Sequence, residues 1–120
     1  MPKKILVVDD EADFVEAIRM RLEANNYIVI AAYNGLECMD KARREKPNLI
    51  LLDLVMPESN GFETLSKLKT DRHTVNIPVI ILTAKSDSEY IVDASKLGAA
   101  DYLVKPPSMQ TLLEVIGKYV

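Results

Sequence analysis

The chain carries one cysteine, Cys38, in 120 residues, so no internal disulfide can hold it and its stability must come from a packed core. A lone thiol suits a reducing compartment, and its place in an apparent helix reads as packing rather than reactivity. No apolar run is long enough to cross a bilayer, so no membrane association is expected. Lys3 and Lys4 precede only Ile5 to Val8 before the acids arrive, which reads as no secretory leader. Positive charge is not in excess: the formal net charge of -3 argues against a nucleic-acid surface. No Gly-x-Gly-x-x-Gly or Walker pattern follows any strand, so a phosphate-cradling glycine loop is missing. Repeats, low-complexity stretches and internal linkers are absent too. The lone histidine, His73, sits among Asp71, Arg72 and Thr74 and reads as a solvated surface residue. The expectation is a single cytoplasmic domain over residues 1–120, long enough to bury a real core.

What is present is an alternation of short apolar runs and helical stripes. The central run is Leu49-Ile50-Leu51-Leu52, apolar on both faces and ending in Asp53. Such a run reads as a strand buried on both sides of a helix-covered parallel sheet. A carboxylate inside that strand would lack a partner, so Asp53 belongs at its exit. Ile5 to Val8 forms a first strand, and Phe14, Ile18 and Leu22, with Val15, form the inward stripe of a first helix. Tyr27 to Ile30 reads as a second strand. Asn34-Gly35 turns into a second helix carrying Leu36, Met39 and Ala42 inward and ending before Pro47. Lys41, Arg43, Arg44 and Lys46 form its solvated side.

After the exit loop with Pro57 and Asn60-Gly61, Phe62, Leu65 and Leu68 mark a third helix. Val79 to Leu82 is a fourth strand stopping at Thr83-Ala84. A fourth helix runs through Ile91, Ala94 and Leu97, capped by Ser86 or Asp87 and closed by Gly98. Asp101 to Val104 is a fifth strand ending in Lys105-Pro106-Pro107, and Ser108 caps a final helix with Leu112, Leu113 and Ile116 inward. Alternation of this kind gives an α/β fold: a (βα)5 doubly wound, five-stranded parallel sheet with helices on both faces and right-handed crossovers.

The chemistry lies where the strands stop. Their ends bring Asp9, Asp10, Asp53, Thr83 and Lys105 to one edge of the sheet, the edge where open parallel sheets bind ligands. Carboxylates that close repel, and some would take up protons unless a cation neutralised them. Three acids against one lysine leave a deficit that a divalent metal would match. Oxygen ligands select Mg²⁺, Mn²⁺ or Ca²⁺ over zinc, and few carboxylates with waters and a phosphate suit Mg²⁺. A carboxylate beside such a cation and a lysine, with space in front, suggests an acceptor of phosphoryl groups.

These residues resemble the receiver domain of two-component response regulators. The matching pieces are Asp9-Asp10, Asp53 after its strand with Met56-Pro57 following, Asn60-Gly61, Thr83-Ala84 and Lys105-Pro106, in order along essentially the whole chain. The resemblance implies a flavodoxin/CheY-like strand order of 2-1-3-4-5. It implies a phosphorylation-activated switch, not an enzyme, with Asp53 accepting a phosphoryl group from phosphohistidine of a sensor histidine kinase or histidine phosphotransfer protein. Mg²⁺, with Mn²⁺ as a substitute, would be bound by Asp10 and Asp53, by the Val55 backbone carbonyl, and by Asp9 directly or through water. Lys105 and Thr83 would contact the phosphoryl oxygens, with small Ala84 leaving room. Tyr102 would move with Thr83 as the switch.

The readout would be the surface of the fourth helix, fifth strand and fifth helix, facing an output domain, a downstream protein or a phosphorylation-dependent homodimer. Autodephosphorylation would reset the switch. The Lys105-Pro106 bond is expected to be cis by the same resemblance. Pro107 departs from the large apolar residue common there, though it suits a first helical turn. Val55 and Lys85 occupy positions that tune dephosphorylation in the family. Among other classes, a haloacid-dehalogenase-type hydrolase would want an acid at position 55, where this chain has Val55. A nucleotide or flavin module would want the missing glycine loop.

Overall fold

A computed structural model describes residues 2–57 and 59–120. Strands β1 (Lys4–Val8), β2 (Ile28–Ala32), β3 (Leu49–Leu52), β6 (Val79–Thr83) and β7 (Asp101–Val104) form one parallel sheet in the order β2-β1-β3-β6-β7. Counting only these strands, that is the order 2-1-3-4-5. Helices α1 (Ala12–Ala24), α2 (Gly35–Glu45), α3 (Gly61–Thr70), α4 (Ser88–Lys96) and α5 (Met109–Tyr119) connect and cover it. A short antiparallel pair, β4 (Val55–Met56) and β5 (Ser59–Asn60), lies in the loop after β3.

Strand periodicity divides the core between the two faces. Leu6, Val8, Ile50, Leu52 and Ile81 point toward Cys38, Met39 and Ala42 of α2, Leu65 and Leu68 of α3, and Ala94 of α4. Ile5, Val7, Leu49, Leu51 and Ile80 point the other way, onto Val15, Ile18 and Leu22 of α1 and Leu112, Val115 and Ile116 of α5. All four residues of β3 are buried, which explains why its sequence shows no polar alternation. Several helix starts are chemically capped. Asn34 accepts from the Glu37 N–H, Asn60 from the Phe62 and Glu63 N–H groups, and Ser108 from the Thr111 N–H.

The structure departs from the sequence expectations at Leu36 and at the bounds of the second strand. Leu36 is not inward but 84% exposed. The buried face of α2 is Gly35, Cys38, Met39 and Ala42, so Leu36 lies about one residue's rotation off it. The second strand begins at Ile28 and runs to Ala32, because Asn26 turns through the left-handed region at φ 70° and Tyr27 still bonds back to Leu22. On α4, Ile91 is 39% exposed, whereas Ala94 is buried and Tyr90 and Leu97 pack on the core from its edges.

Cys38 is fully buried, and that burial pushes its thiol up to about 12. An exposed cysteine gives up its proton near 9.0, so across that window the folded state binds a proton that the unfolded chain has lost. The contribution is intact below 9.0, and stability falls as pH rises through the window. The native protein should therefore leave Cys38 unlabelled by iodoacetamide at pH 8 over the time in which the unfolded chain is fully alkylated. Equal labelling rates would show that the α2 face opens readily.

Candidate functional site

The last rungs of the sheet build the site. Val8 is level with Ala32 on one side and Leu52 on the other, and Thr83 is level with Val104. The ladder continues one residue further: the Asp9 N–H donates to Ala32 O at 3.1 Å, Asp53 N–H to Val8 O at 3.0 Å, and Lys105 N–H to Thr83 O at 2.8 Å. Backbone pairing thus fixes the main chain of Asp9, Asp53 and Lys105 at one edge before any side chain contributes. Asp10 follows Asp9 and is exposed, so it forms the solvent side of the cluster.

One carboxylate oxygen from each of Asp9, Asp10 and Asp53 comes within 4.8 Å of the others. Lys105 reaches across the sheet edge and its Nζ donates to Asp9 Oδ2 at 2.5 Å and Asp53 Oδ2 at 3.1 Å. It also lies 3.5 Å from Glu11 Oε1, and 4.2 Å from the centre of the Phe14 ring. Asp9 and Asp53 are buried, at 1% and 5% exposure. The remaining Asp53 oxygen, Oδ1, accepts from the Val55 N–H at 3.0 Å, and Asp9 Oδ1 accepts from the Glu11 N–H at 3.0 Å.

Burial raises the Asp9 carboxyl above its ordinary value, against the pull of the Lys105 hydrogen bond. Burial also works against the charge on Lys105, but its bonds to the two carboxylates outweigh that and hold the ammonium above its ordinary value. Three carboxylates converge on one ammonium, so the pocket is short of positive charge even with its lysine in place. The donor set fits a hard divalent cation, being all oxygen, clustered and under-neutralised.

Lys105→Met removes the one cation within bonding reach of the buried pair among the described residues. The expected result in chelator is a loss of about 3 kcal/mol, from buried charge left uncompensated. Added Mg²⁺ should then raise the melting temperature by more than it raises that of the wild type. An equal Mg²⁺ increment in both proteins would contradict this.

Thr83 is fully buried, and its Oγ1 is a buried side-chain oxygen without a hydrogen-bond partner among the described residues. Such an orphan costs about 1–3 kcal/mol unless something binds it. Ala84, next to it, is exposed. Tyr102 is half-buried and donates its hydroxyl to Lys85 O at 2.6 Å, tying β7 to the loop that follows Thr83. Val55 is 50% exposed beside Asp53, and the Lys105-Pro106 peptide is cis. A cleft of about 240 Å³ lined by Asp10, Tyr33, Asn34, Met56 and Pro57 opens next to the carboxylates.

Helical periodicity assigns Phe14 to the core stripe of α1, and Glu11 reads from sequence only as a helix-start acid. Their approach to Lys105 needs the β1 and β7 ends to be neighbours of α1, which no local pattern reveals.

A doubly wound sheet with a cation-hungry acidic cluster, a lysine and an unsatisfied hydroxyl at its C-terminal edge defines a class of phosphate-handling α/β domains. The chain belongs to the response regulator receiver domain family, whose model matches residues 5–117. It is 41% identical over 114 residues to Protein PilH of Pseudomonas aeruginosa, covering 95% of this chain and 94% of that protein. It is 42% identical over 106 residues to the alkaline phosphatase synthesis transcriptional regulatory protein PhoP of Bacillus subtilis, covering 88% of this chain but only 43% of PhoP. The chain thus spans nearly the whole of one relative and less than half of another. The chemotaxis protein CheY4 of Vibrio cholerae, a solved structure, superposes with a TM-score of 0.94 at 28% identity, covering 100% of both chains. Members of this family are phosphorylation-dependent signalling switches that interact with histidine kinases and output partners and use Mg²⁺ at an acidic pocket. Among the described residues, no helix is long and apolar enough to cross a membrane.

Proposed function

We propose that the chain is a single cytoplasmic receiver domain over residues 1–120, and that Asp53 is its phosphoacceptor. The observation that carries this is the convergence of the Asp9, Asp10 and Asp53 carboxylates with Lys105 Nζ lying 3.1 Å from Asp53 Oδ2. Asp53 Oδ2 attacks the phosphorus of a phosphohistidine, on a sensor histidine kinase or a histidine phosphotransfer protein. The P–N bond breaks, the imidazole leaves with its electron pair and takes up a proton, and an acyl phosphate remains on Asp53. A divalent cation, Mg²⁺ ahead of Mn²⁺, would be held by Asp9, Asp10, Asp53 and the Val55 carbonyl and would supply charge that neutralises the transferred oxygens. Lys105 neutralises a further oxygen.

Thr83 Oγ1 donates to another phosphoryl oxygen, which satisfies its orphaned hydroxyl, and Ala84 keeps that side open. As Thr83 is drawn in, Tyr102 exchanges its bond to Lys85 O for a more buried position, changing the surface of α4, β7 and α5. That surface controls an output domain, a downstream partner or a homodimer. A coupling of about 1–3 kcal/mol is enough to shift partner affinity usefully. Attack of water on the phosphorus, with the Asp53 carboxylate leaving, returns phosphate and resets the switch.

The test is incubation with acetyl phosphate, with Mg²⁺ or with chelator, followed by intact mass. One added phosphoryl group that requires Mg²⁺ is the expected result. No addition from acetyl phosphate or from any phosphohistidine donor would remove the reading.

A further inference from the structure

Among the described residues Lys105 is held by four neighbours, and three of them are acids: Asp9, Asp53 and Glu11. In the cycle proposed above, Asp9 and Asp53 both change role, one toward a cation and the other into an acyl phosphate. Glu11 is the most distant of the three, and its side chain is 67% exposed, so water screens that pair. Until it meets the incoming phosphoryl oxygen, a lysine on a flexible four-carbon stem that has lost its short partners tends to extend into solvent.

The fourth neighbour does not change. Phe14 stands in the first turn of α1 and is packed, half-buried, against the cluster built from Ile5, Val7, Val15 and Ile18. Lys105 Nζ lies 4.2 Å from the ring centre. The electron-rich face of a benzene ring attracts an ammonium, more strongly where water is excluded, and it neither titrates nor binds hard metals. The Lys105 side chain is only 11% exposed. A leucine at position 14 would fill similar core volume but would offer no such face.

We propose that Phe14 is a positioning residue: its ring holds the Lys105 ammonium over the strand ends while the carboxylates are reassigned during phosphoryl transfer. The proposal rests on the reading of Asp53 as phosphoacceptor.

Two measurements test it, and one needs no turnover. In the NMR spectrum of the metal-free wild type, the ε-methylene protons of Lys105 should be shifted upfield by the ring. The shift should vanish in Phe14→Leu and persist in Phe14→Tyr. In the wild type it should also persist after Mg²⁺ and beryllofluoride are added. Kinetically, the maximal rate of phosphoryl uptake from saturating acetyl phosphate should fall roughly three- to tenfold in Phe14→Leu and recover in Phe14→Tyr.

Uptake by Phe14→Leu at the wild-type rate would reduce Phe14 to core packing and overturn the proposal. So would loss of the wild-type ring shift on adding Mg²⁺ and beryllofluoride, a result that stands even if Phe14→Leu fails to fold. A wild type that takes up no phosphoryl group from any donor instead sinks the Asp53 reading, and the transfer role of Phe14 falls with it.

Discussion

Asp53→Asn should take up no phosphoryl group from acetyl phosphate while keeping its fold. The substitution preserves shape and the Oδ1 acceptor for the Val55 N–H, which closes the turn out of β3 at 3.0 Å. It removes the charge that makes the remaining oxygen a nucleophile and a partner for Lys105 at 3.1 Å. The energetic consequences partly cancel. The charge-assisted bond to Lys105 is lost, because the amide nitrogen that replaces Oδ2 is a donor, at a cost of about 1.5–3 kcal/mol. Repulsion within a cluster whose three carboxylates lie within 4.8 Å is relieved at the same time. Stability in chelator should therefore change by no more than about 1–2 kcal/mol. Uptake, in contrast, should fall below detection, and the rise in melting temperature produced by Mg²⁺ should shrink with it. Intact mass and calorimetry on the same samples check both. Phosphorylation of the variant at the wild-type rate would mean that another residue is the acceptor.

The second large effect is on stability. Gly61→Ala should destabilise the protein by about 3 kcal/mol or prevent folding. A Cβ at position 61 would meet the Leu54 Cα at 2.3 Å and the Leu54 carbonyl oxygen at 2.6 Å. These are backbone atoms and no rotamer change can clear them. The approach is needed because the Gly61 N–H, at the start of α3, donates at 3.1 Å to the carbonyl of Leu54, the residue immediately after Asp53. The loop after the candidate acceptor is thus folded back onto the helix start, and Asn60 caps that start with its side chain. Urea denaturation gives the loss directly. A variant as stable as the wild type would require the β3–α3 loop to shift, and its Mg²⁺ response should then change as well.

The parts legible in sequence are those written in local patterns. Four consecutive buried residues in β3, followed by an acid, could be read because a strand covered on both faces tolerates no polar residue and a carboxylate must leave it. The strand ends could be gathered at one edge because parallel strands separated by helices have few possible arrangements. The errors have equally physical causes. Leu36 reads as inward because glycine carries no hydrophobic signal, yet Gly35 holds the buried position where α2 approaches Thr64 and Ser59 closely. The rotation of α4 is not legible in its sequence, because the helix buries only Ala94 fully, too little for a stripe to specify it. The β4–β5 pair reads from sequence only as an exit loop because each strand is only two residues long. Within the site, the carboxylates, Thr83 and Lys105 were readable from strand ends, whereas the ring beneath Lys105 depends on packing between α1 and the far end of the chain.

The central claim is that an aspartate at the exit of β3 becomes an acyl phosphate. After incubation with acetyl phosphate and Mg²⁺, the protein should be treated with borohydride, which reduces an acyl phosphate to an alcohol, and then mapped by peptide mass spectrometry. The account predicts homoserine at position 53, dependent on Mg²⁺, with Asp9 and Asp10 unmodified. Reduction at Asp9 or Asp10 instead, or a borohydride-resistant phosphate on a hydroxyl or a histidine, would contradict it.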